Sequence, residues 1–199
     1  MKGAFIVIEG IDGAGKGLVI KHLASALFDA NKNNHLFITR EPYKRDWLKK
    51  FLSTIDPNSR GNEALKLFAQ DRTKHCKMIS SCLNKGIIVL SDRYKHSTYA
   101  YQMAQGVSFD TIHDLHNDLL VPDLTIVIDT PVDVALARIA AAREQTNAFQ
   151  DEKLLRSVHA NYHALKDKLD ENIVFIDGNN DKDSVCAEAL SIVQDFLSQ

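Results

Sequence analysis

Cysteine, proline and tryptophan are scarce in this chain of 199 residues, which holds three, four and one of them. Cys76, Cys82 and Cys186 form no CxxC pair and have no ligand-like spacing. That excludes a disulfide framework and a cysteine-ligated zinc site, and leaves reduced, buried thiols in a cytosolic protein. Charge of one sign is also lacking: 24 Lys and Arg face 26 Asp and Glu, for a formal net charge of -2. No whole-molecule bias towards nucleic acid or membrane results, so any anion must be held by a local cluster, of which Lys44, Arg45, Lys49 and Lys50 are one. Long hydrophobic runs are missing too. The N-terminal run Phe5-Ile6-Val7-Ile8 is broken at once by Glu9 and Asp12, too short for a signal segment or a transmembrane span. Without repeats, low-complexity tracts or linkers, residues 1–199 are expected to form one soluble, cytoplasmic domain, large enough to bury a core without staples.

What is present is alternation. Apolar runs rich in Ile, Val, Leu and Phe occur at 5–8, His35–Thr39, Gly86–Ser91, Leu124–Asp129 and Asn172–Asp177, each of strand length. Helical patterns start near Gly15 and cover Asn62–Leu83, Pro131–Arg143, Asp151–Leu169 and Asp181–Leu197. Continuously apolar strands alternating with helices predict an α/β fold whose parallel sheet is covered on both faces. Ligands of such sheets lie beyond the carboxyl ends of the strands. Polar residues do gather there: Asp12 to Lys16 after the first run, Arg40-Glu41 after the second, Asp92-Arg93-Tyr94 after the third. The stretch 140–148, between two helical patterns, is expected to be a mobile cover over the site.

Gly10-Ile11-Asp12-Gly13-Ala14-Gly15-Lys16-Gly17 carries the chemistry. It fits G-x-x-x-x-G-K-[ST] except at its last position, where Gly17 replaces the hydroxyl that would hold magnesium. In such a loop, backbone N–H groups and a helix N-terminus surround phosphate oxygens, and the lysine neutralises them. Phosphoryl transfer asks mainly for positioning and counter-charge, and Lys16, Arg40, Arg93 and Arg143 are the cations best placed for it. If the acceptor is itself a phosphate, no general base is required. Asp92 suits a magnesium water shell and Arg93 a phosphate, with a structural Asp–Arg pair as the alternative. Arg40-Glu41-Pro42 is read either as a site segment or as an ion pair before a turn. Phe68 and Arg72, at i and i+4, would share a helix face able to clamp a nucleobase, although Phe68 alone suits a core. His96 is expected to be solvated or capping.

Taken together, these segments resemble the thymidylate kinase family, over nearly the whole chain. The resemblance is carried by residues 5–16, Thr39-Arg40-Glu41-Pro42, Leu67-Phe68-Ala69-Gln70-Asp71-Arg72, Asp92-Arg93-Tyr94 through Gln102, and Pro122 to Asp129. It implies a P-loop nucleoside monophosphate kinase-like three-layer sandwich with a five-stranded parallel sheet, a short lid near 140–150, and ATP-dependent phosphorylation of dTMP with Mg2+. It also implies that Phe68 stacks on thymine, that Arg72 hydrogen-bonds it, and that Ser97, Thr98 and Gln102 line the base pocket. Tyr101 would crowd the sugar 2′ position, Asp12 would sit near the 3′-hydroxyl, and Arg93 would grip the acceptor phosphate. Glu9 joins Asp92 as a candidate for the magnesium shell, and a homodimer using the 62–83 region is implied.

Three departures stand out. Tyr43-Lys44 occupies the place of a usual Gly-Gly, so the acceptor-phosphate end is expected to be reshaped, with Lys44 or Arg45 replacing contacts. The lid lacks an arginine near Ala148; Arg143 is the remaining choice, and Arg138 is assigned to solvent or an acidic partner. Gly17-Leu18 replaces two hydroxylated residues, which predicts weak metal positioning and slow turnover. A kinase of another nucleotide or nucleoside, or a catalytically impaired nucleotide-binding module, is the alternative.

Overall fold

The computed structural model describes residues 3–44, 46, 60–142 and 152–199, so Arg45, Lys49, Lys50 and Arg143 lie outside the described residues. Five strands, β1 (Phe5–Glu9), β2 (Leu36–Arg40), β3 (Ile88–Asp92), β4 (Leu124–Asp129) and β5 (Ile173–Asp177), form one sheet in the order β2-β3-β1-β4-β5. Every pairing is parallel. The expected strands are therefore all present, within two residues of their predicted starts.

Alternation along the strands builds the layers. Phe5 and Val7 of β1 and Val89 of β3 point into a smaller core with Ile79 and Tyr94. Ile6, Ile8, Ile88 and Leu90 point into a larger one with Val19 and Leu23. All four apolar side chains of β1 are fully buried, and each such burial stabilises by roughly 1.5–3 kcal/mol. Helix α1 (Lys16–Ala30) supplies Val19, Ile20, Leu23 and Leu27 to the larger core at helical spacing. Helix α2 (Arg60–Leu83) supplies Ile79 to the smaller one.

Two helices were not anticipated: α3 (Lys95–Ala104) and α4 (Phe109–Asp114). The remaining helices are α5 (Val132–Ala142), α6 (Glu152–Lys168) and α7 (Lys182–Leu197). Asp181 caps α7 by accepting from the N–H groups of Asp183 and Ser184. Helix α3 packs extensively on α6, and α1 on α7. Among the described residues, no helix is long and apolar enough to cross a membrane. The cysteines are unpaired thiols.

Candidate active site

The loop after β1 turns through Gly13 (φ +83°) and Gly15 (φ +98°) into α1. A Cβ on Gly13 would stand 2.5 Å from the Ala135 carbonyl oxygen, so the close approach of α5 as well as the backbone angle requires glycine there. Lys16 is buried, and its Nζ donates to the carbonyl oxygens of Gly10 (3.0 Å) and Ile11 (2.8 Å). Burial, reinforced by the nearby Arg93 guanidinium, pulls its pKa from 10.5 down to about 7.

Beside this loop, at the carboxyl ends of β1 and β3, opens a cavity of about 540 Å³. Asp12, Pro42, Phe68, Arg72 and Arg93 line it on one side, with Ser97, Thr98, Tyr101 and Gln102 from α3. The predicted acceptor-side residues thus meet in one place; Arg40 alone of them is not in its wall. Arg93 adopts φ +72°, unusual for a non-glycine, and Nη2 reaches Asp12 Oδ1 at 2.7 Å while Nη1 donates to Ser97 Oγ at 2.8 Å. Its guanidinium carbon sits 5.3 Å from the centre of the Tyr101 ring.

Arg72 is buried and aimed by groups that spacing alone could not connect to it. Nε donates to Glu41 Oε2 at 2.6 Å, and Nη2 to Thr98 Oγ1 at 2.9 Å. Glu41 also binds His75 Nδ1 at 3.0 Å, and His75 Nε2 meets Thr39 Oγ1 at 2.8 Å. Arg40-Glu41-Pro42 therefore serves both readings: Glu41 is an ion-pair partner, and its partner is a cavity residue. Among the described residues Arg72 Nη1 and Gln102 Oε1 are buried side-chain atoms without a hydrogen-bond partner. Glu41, Ala64, Asp71, Tyr94 and Gln105 complete the wall; Glu41 and Tyr94 belong to the strand-end groups singled out in the sequence, whereas Ala64, Asp71 and Gln105 are given no role in the site by the residue pattern.

The expected reshaping by Tyr43-Lys44 is not found in the cavity wall. Tyr43 stacks on His75 (centroids 4.7 Å apart, planes at 6°), and Asp71 accepts from the N–H groups of Tyr43 (2.6 Å) and Lys44 (3.1 Å). Neither residue lines the cavity. The two carboxylates considered for magnesium also separate. Asp92 pairs through Oδ2 with Arg40 Nη2 at 3.3 Å, and its buried Oδ1 has no partner among the described residues, which fits a hydrogen bond to a metal-bound water. Glu9 does not fit. Its Oε1 accepts from the Tyr94 and Ser97 N–H groups and its Oε2 from the Ser97 and Tyr162 hydroxyls, at 2.6–3.1 Å. Those four bonds use all of its lone pairs.

A second, smaller cavity of about 90 Å³ adjoins the loop, lined by Gly15, Leu18, Val19, Arg138, Gly178 and Asn180 among others. Arg138 donates to the Gly178 carbonyl oxygen at 3.0 Å, which corrects its assignment to solvent or an acidic partner. His96 is likewise buried, 2.9 Å from Glu171 Oε2, instead of solvated.

The sequence profile described as "Thymidylate kinase" matches residues 8–189. The chain belongs to the thymidylate kinase family. It is 32% identical over 198 residues to the thymidylate kinase of Brachyspira hyodysenteriae, covering 98% of this chain and 95% of that one. The thymidylate kinase of Ureaplasma parvum is 36% identical, with 94% and 87% covered. A probable thymidylate kinase of Thermococcus gammatolerans is 33% identical, with 98% and 99% covered. The glycine-rich loop after the central strand β1 thus adjoins two cavities at the carboxyl end of the sheet, where a parallel α/β protein is expected to hold its ligands.

Proposed function

We propose that this chain transfers the γ-phosphoryl group of ATP to dTMP, giving dTDP and ADP. One observation carries the choice of acceptor. Arg72 Nη1 is a buried donor and Gln102 Oε1 a buried acceptor, both without partners among the described residues, in the wall of a cavity that Phe68 also lines. Thymine offers the complement, an O4 acceptor beside an N3–H donor, whereas cytosine reverses both. Leaving such groups unpaired costs about 1–3 kcal/mol each, enough to discriminate between these bases.

In this reading Phe68 stacks on the base, Tyr101 bounds the sugar at its 2′ side, and Asp12 lies near the 3′-hydroxyl. Pro42, Ser97 and Thr98 shape the pocket, and Arg93, with Arg40 further out, holds the acceptor phosphate. Lys16 and the N–H groups from Gly10 to Gly17, through Ile11, Asp12, Gly13, Ala14 and Gly15, hold the phosphates of ATP. Arg138 and Leu18 border the small cavity, which suits the adenine end. The acceptor oxygen is already anionic, so the residues need to align it and neutralise the moving group, and no side chain has to remove a proton. Asp92 Oδ1 would hold magnesium through its water shell, and the ion supplies counter-charge on the phosphates when bound with ATP. Arg143 is proposed to close on the phosphates from the lid. We also propose a cytoplasmic homodimer joined through α2, which light scattering of the purified protein tests.

The function is tested by phosphoryl transfer from ATP with magnesium to dTMP, dUMP, dCMP, dGMP and thymidine. dTMP should be the best acceptor and dCMP far poorer. Transfer to thymidine would make the chain a nucleoside kinase, and nucleotide binding without any transfer would make it a binding module. Phe68→Ala should weaken dTMP binding roughly tenfold or more, the worth of one base–aromatic stack, and leave ATP binding unchanged. The reverse order would sink the stacking role.

A further inference from the structure

Outside the walls of both cavities, three ligand-type side chains converge on one point. Asp129 ends β4, and His159 and His163 stand four residues apart on one face of α6. Asp129 Oδ1 lies 2.7 Å from His159 Nε2 and 3.1 Å from His163 Nε2. All three candidate ligand atoms fall within 4.8 Å of one another. We infer that Asp129, His159 and His163 form a binding site for a divalent late transition metal, of which Zn2+ is the natural probe.

The geometry is close to what such an ion needs. At zinc bond lengths near 2.0–2.1 Å, neighbouring ligand atoms of a tetrahedron stand about 3.3 Å apart. The carboxylate oxygen therefore has to draw back by about 0.6 Å from His159 Nε2 and about 0.2 Å from His163 Nε2, while the two nitrogens, within 4.8 Å of each other, settle at the same spacing. They have room to do so, since the side chains are 31% (Asp129), 30% (His159) and 48% (His163) exposed. That exposure also leaves the fourth position to water. The His163 ring is held by stacking on Phe175, with centroids 4.8 Å apart and planes at 17°. Main-chain ties fix the carboxylate end as well, because the Asp129 carbonyl oxygen accepts from the Gly178 N–H at 2.9 Å. Two imidazoles with one carboxylate select Zn2+, Ni2+ or Cu2+ over Mg2+, so this site is chemically distinct from any place that handles magnesium with ATP. Its two histidines belong to α6 and its carboxylate to β4, so the ion would staple that helix to the sheet.

The test uses the full-length, nucleotide-free protein and Zn2+ alone, followed by titration calorimetry and thermal melting, with Mg2+ in parallel. One Zn2+ per chain should bind, and the melting temperature should rise with its concentration, while Mg2+ does neither. His159→Gln and His163→Gln should each weaken Zn2+ binding roughly tenfold or more, and the double variant should abolish the melting shift. Circular dichroism of the double variant establishes that it is folded. Zn2+ binding unchanged in the folded double variant would assign the ion elsewhere, for instance to the thiols, and overturn the site. Absence of saturable binding to the unmodified chain would overturn it equally.

Discussion

Lys16 sits in a contradiction that only a ligand resolves. Burial and Arg93 hold its pKa to about 7, whereas its proposed role beside phosphates requires the ammonium. Bringing polyphosphate next to Nζ favours the charged form, so binding should draw a proton from solution. At pH 8 a group with a pKa of about 7 is about 90% neutral, and ATP binding should therefore take up about 0.9 proton. Calorimetry in two buffers of different ionisation enthalpy measures this directly. The uptake should vanish in Lys16→Arg, whose guanidinium is always charged, and uptake that persists there would assign the proton to another group. The neighbouring Gly17 makes a second prediction. A Cβ added to it meets no atom within 4 Å, so Gly17→Thr fits and restores a hydroxyl. One charge-assisted hydrogen bond to the magnesium shell would raise kcat about tenfold. Unchanged turnover and magnesium dependence would mean that the missing hydroxyl limits nothing.

At the scale of elements, α3 supplies four residues to the larger cavity, as many as α2, and it is a helix that the residue pattern conceals. Its start shows no Ser, Thr, Asp or Asn cap: Tyr94 stands at that position and makes no side-chain capping bond. Glu9 does the work from β1, accepting the N–H groups of Tyr94 and Ser97. A cap supplied from 85 residues away leaves no local trace. The buried side of α3 is also polar, with Lys95, His96, Thr98 and Gln102, so no apolar periodicity marks it. By contrast, the loop from Gly10 to Lys16 was legible because strand, glycines, lysine and helix are contiguous. Phe68 and Arg72 were legible because one helix turn separates them, whereas Glu41 and His75, which aim Arg72, could not be read from spacing. Glu9→Ala should destabilise the fold by about 3 kcal/mol, since it strands several buried donors. Amide exchange should quicken at Tyr94 and Ser97, and KM for dTMP should rise through loss of the Ser97–Arg93 contact. A change in magnesium dependence with stability intact would instead return Glu9 to the metal.

For the whole molecule, strand alternation and a parallel sheet were foreseeable because burial on both faces imposes continuous apolar runs, and those runs also fixed where ligands gather. What the pattern could not reveal is the set of titratable groups that the core encloses, and these set the stability of the fold in acid. His116 is fully buried; its Nδ1–H donates to the Ile112 carbonyl oxygen at 2.7 Å, and its Nε2 has no partner among the described residues. Protonation would bury an unpaired charge, and burial, with Arg72 adding repulsion, lowers the pKa from 6.5 to about 3. The unfolded chain therefore binds a proton between those two values that the native chain refuses, so stability falls on acidification from about 6.5 and the full loss is reached near 3. At about 1.4 kcal/mol per pH unit the loss approaches 5 kcal/mol, comparable with the whole stability of many domains. Glu171 acts lower down and in the same direction. Burial opposes its charge, but His96 and Lys95 outweigh it and lower the pKa from 4.5 to about 2, so its stabilisation is present above about 4.5 and is lost towards 2. Chemical denaturation between pH 7 and 4 separates the two groups, because most of that window belongs to His116 alone. His116→Phe keeps an aromatic ring beside Tyr99, where the centroids are 5.9 Å apart, and removes the titration. The variant should match the parent within about 1 kcal/mol at pH 7 and exceed it by about 3 kcal/mol at pH 4. Parallel stability curves for the two proteins would show that His116 is not the group through which acid unfolds the molecule.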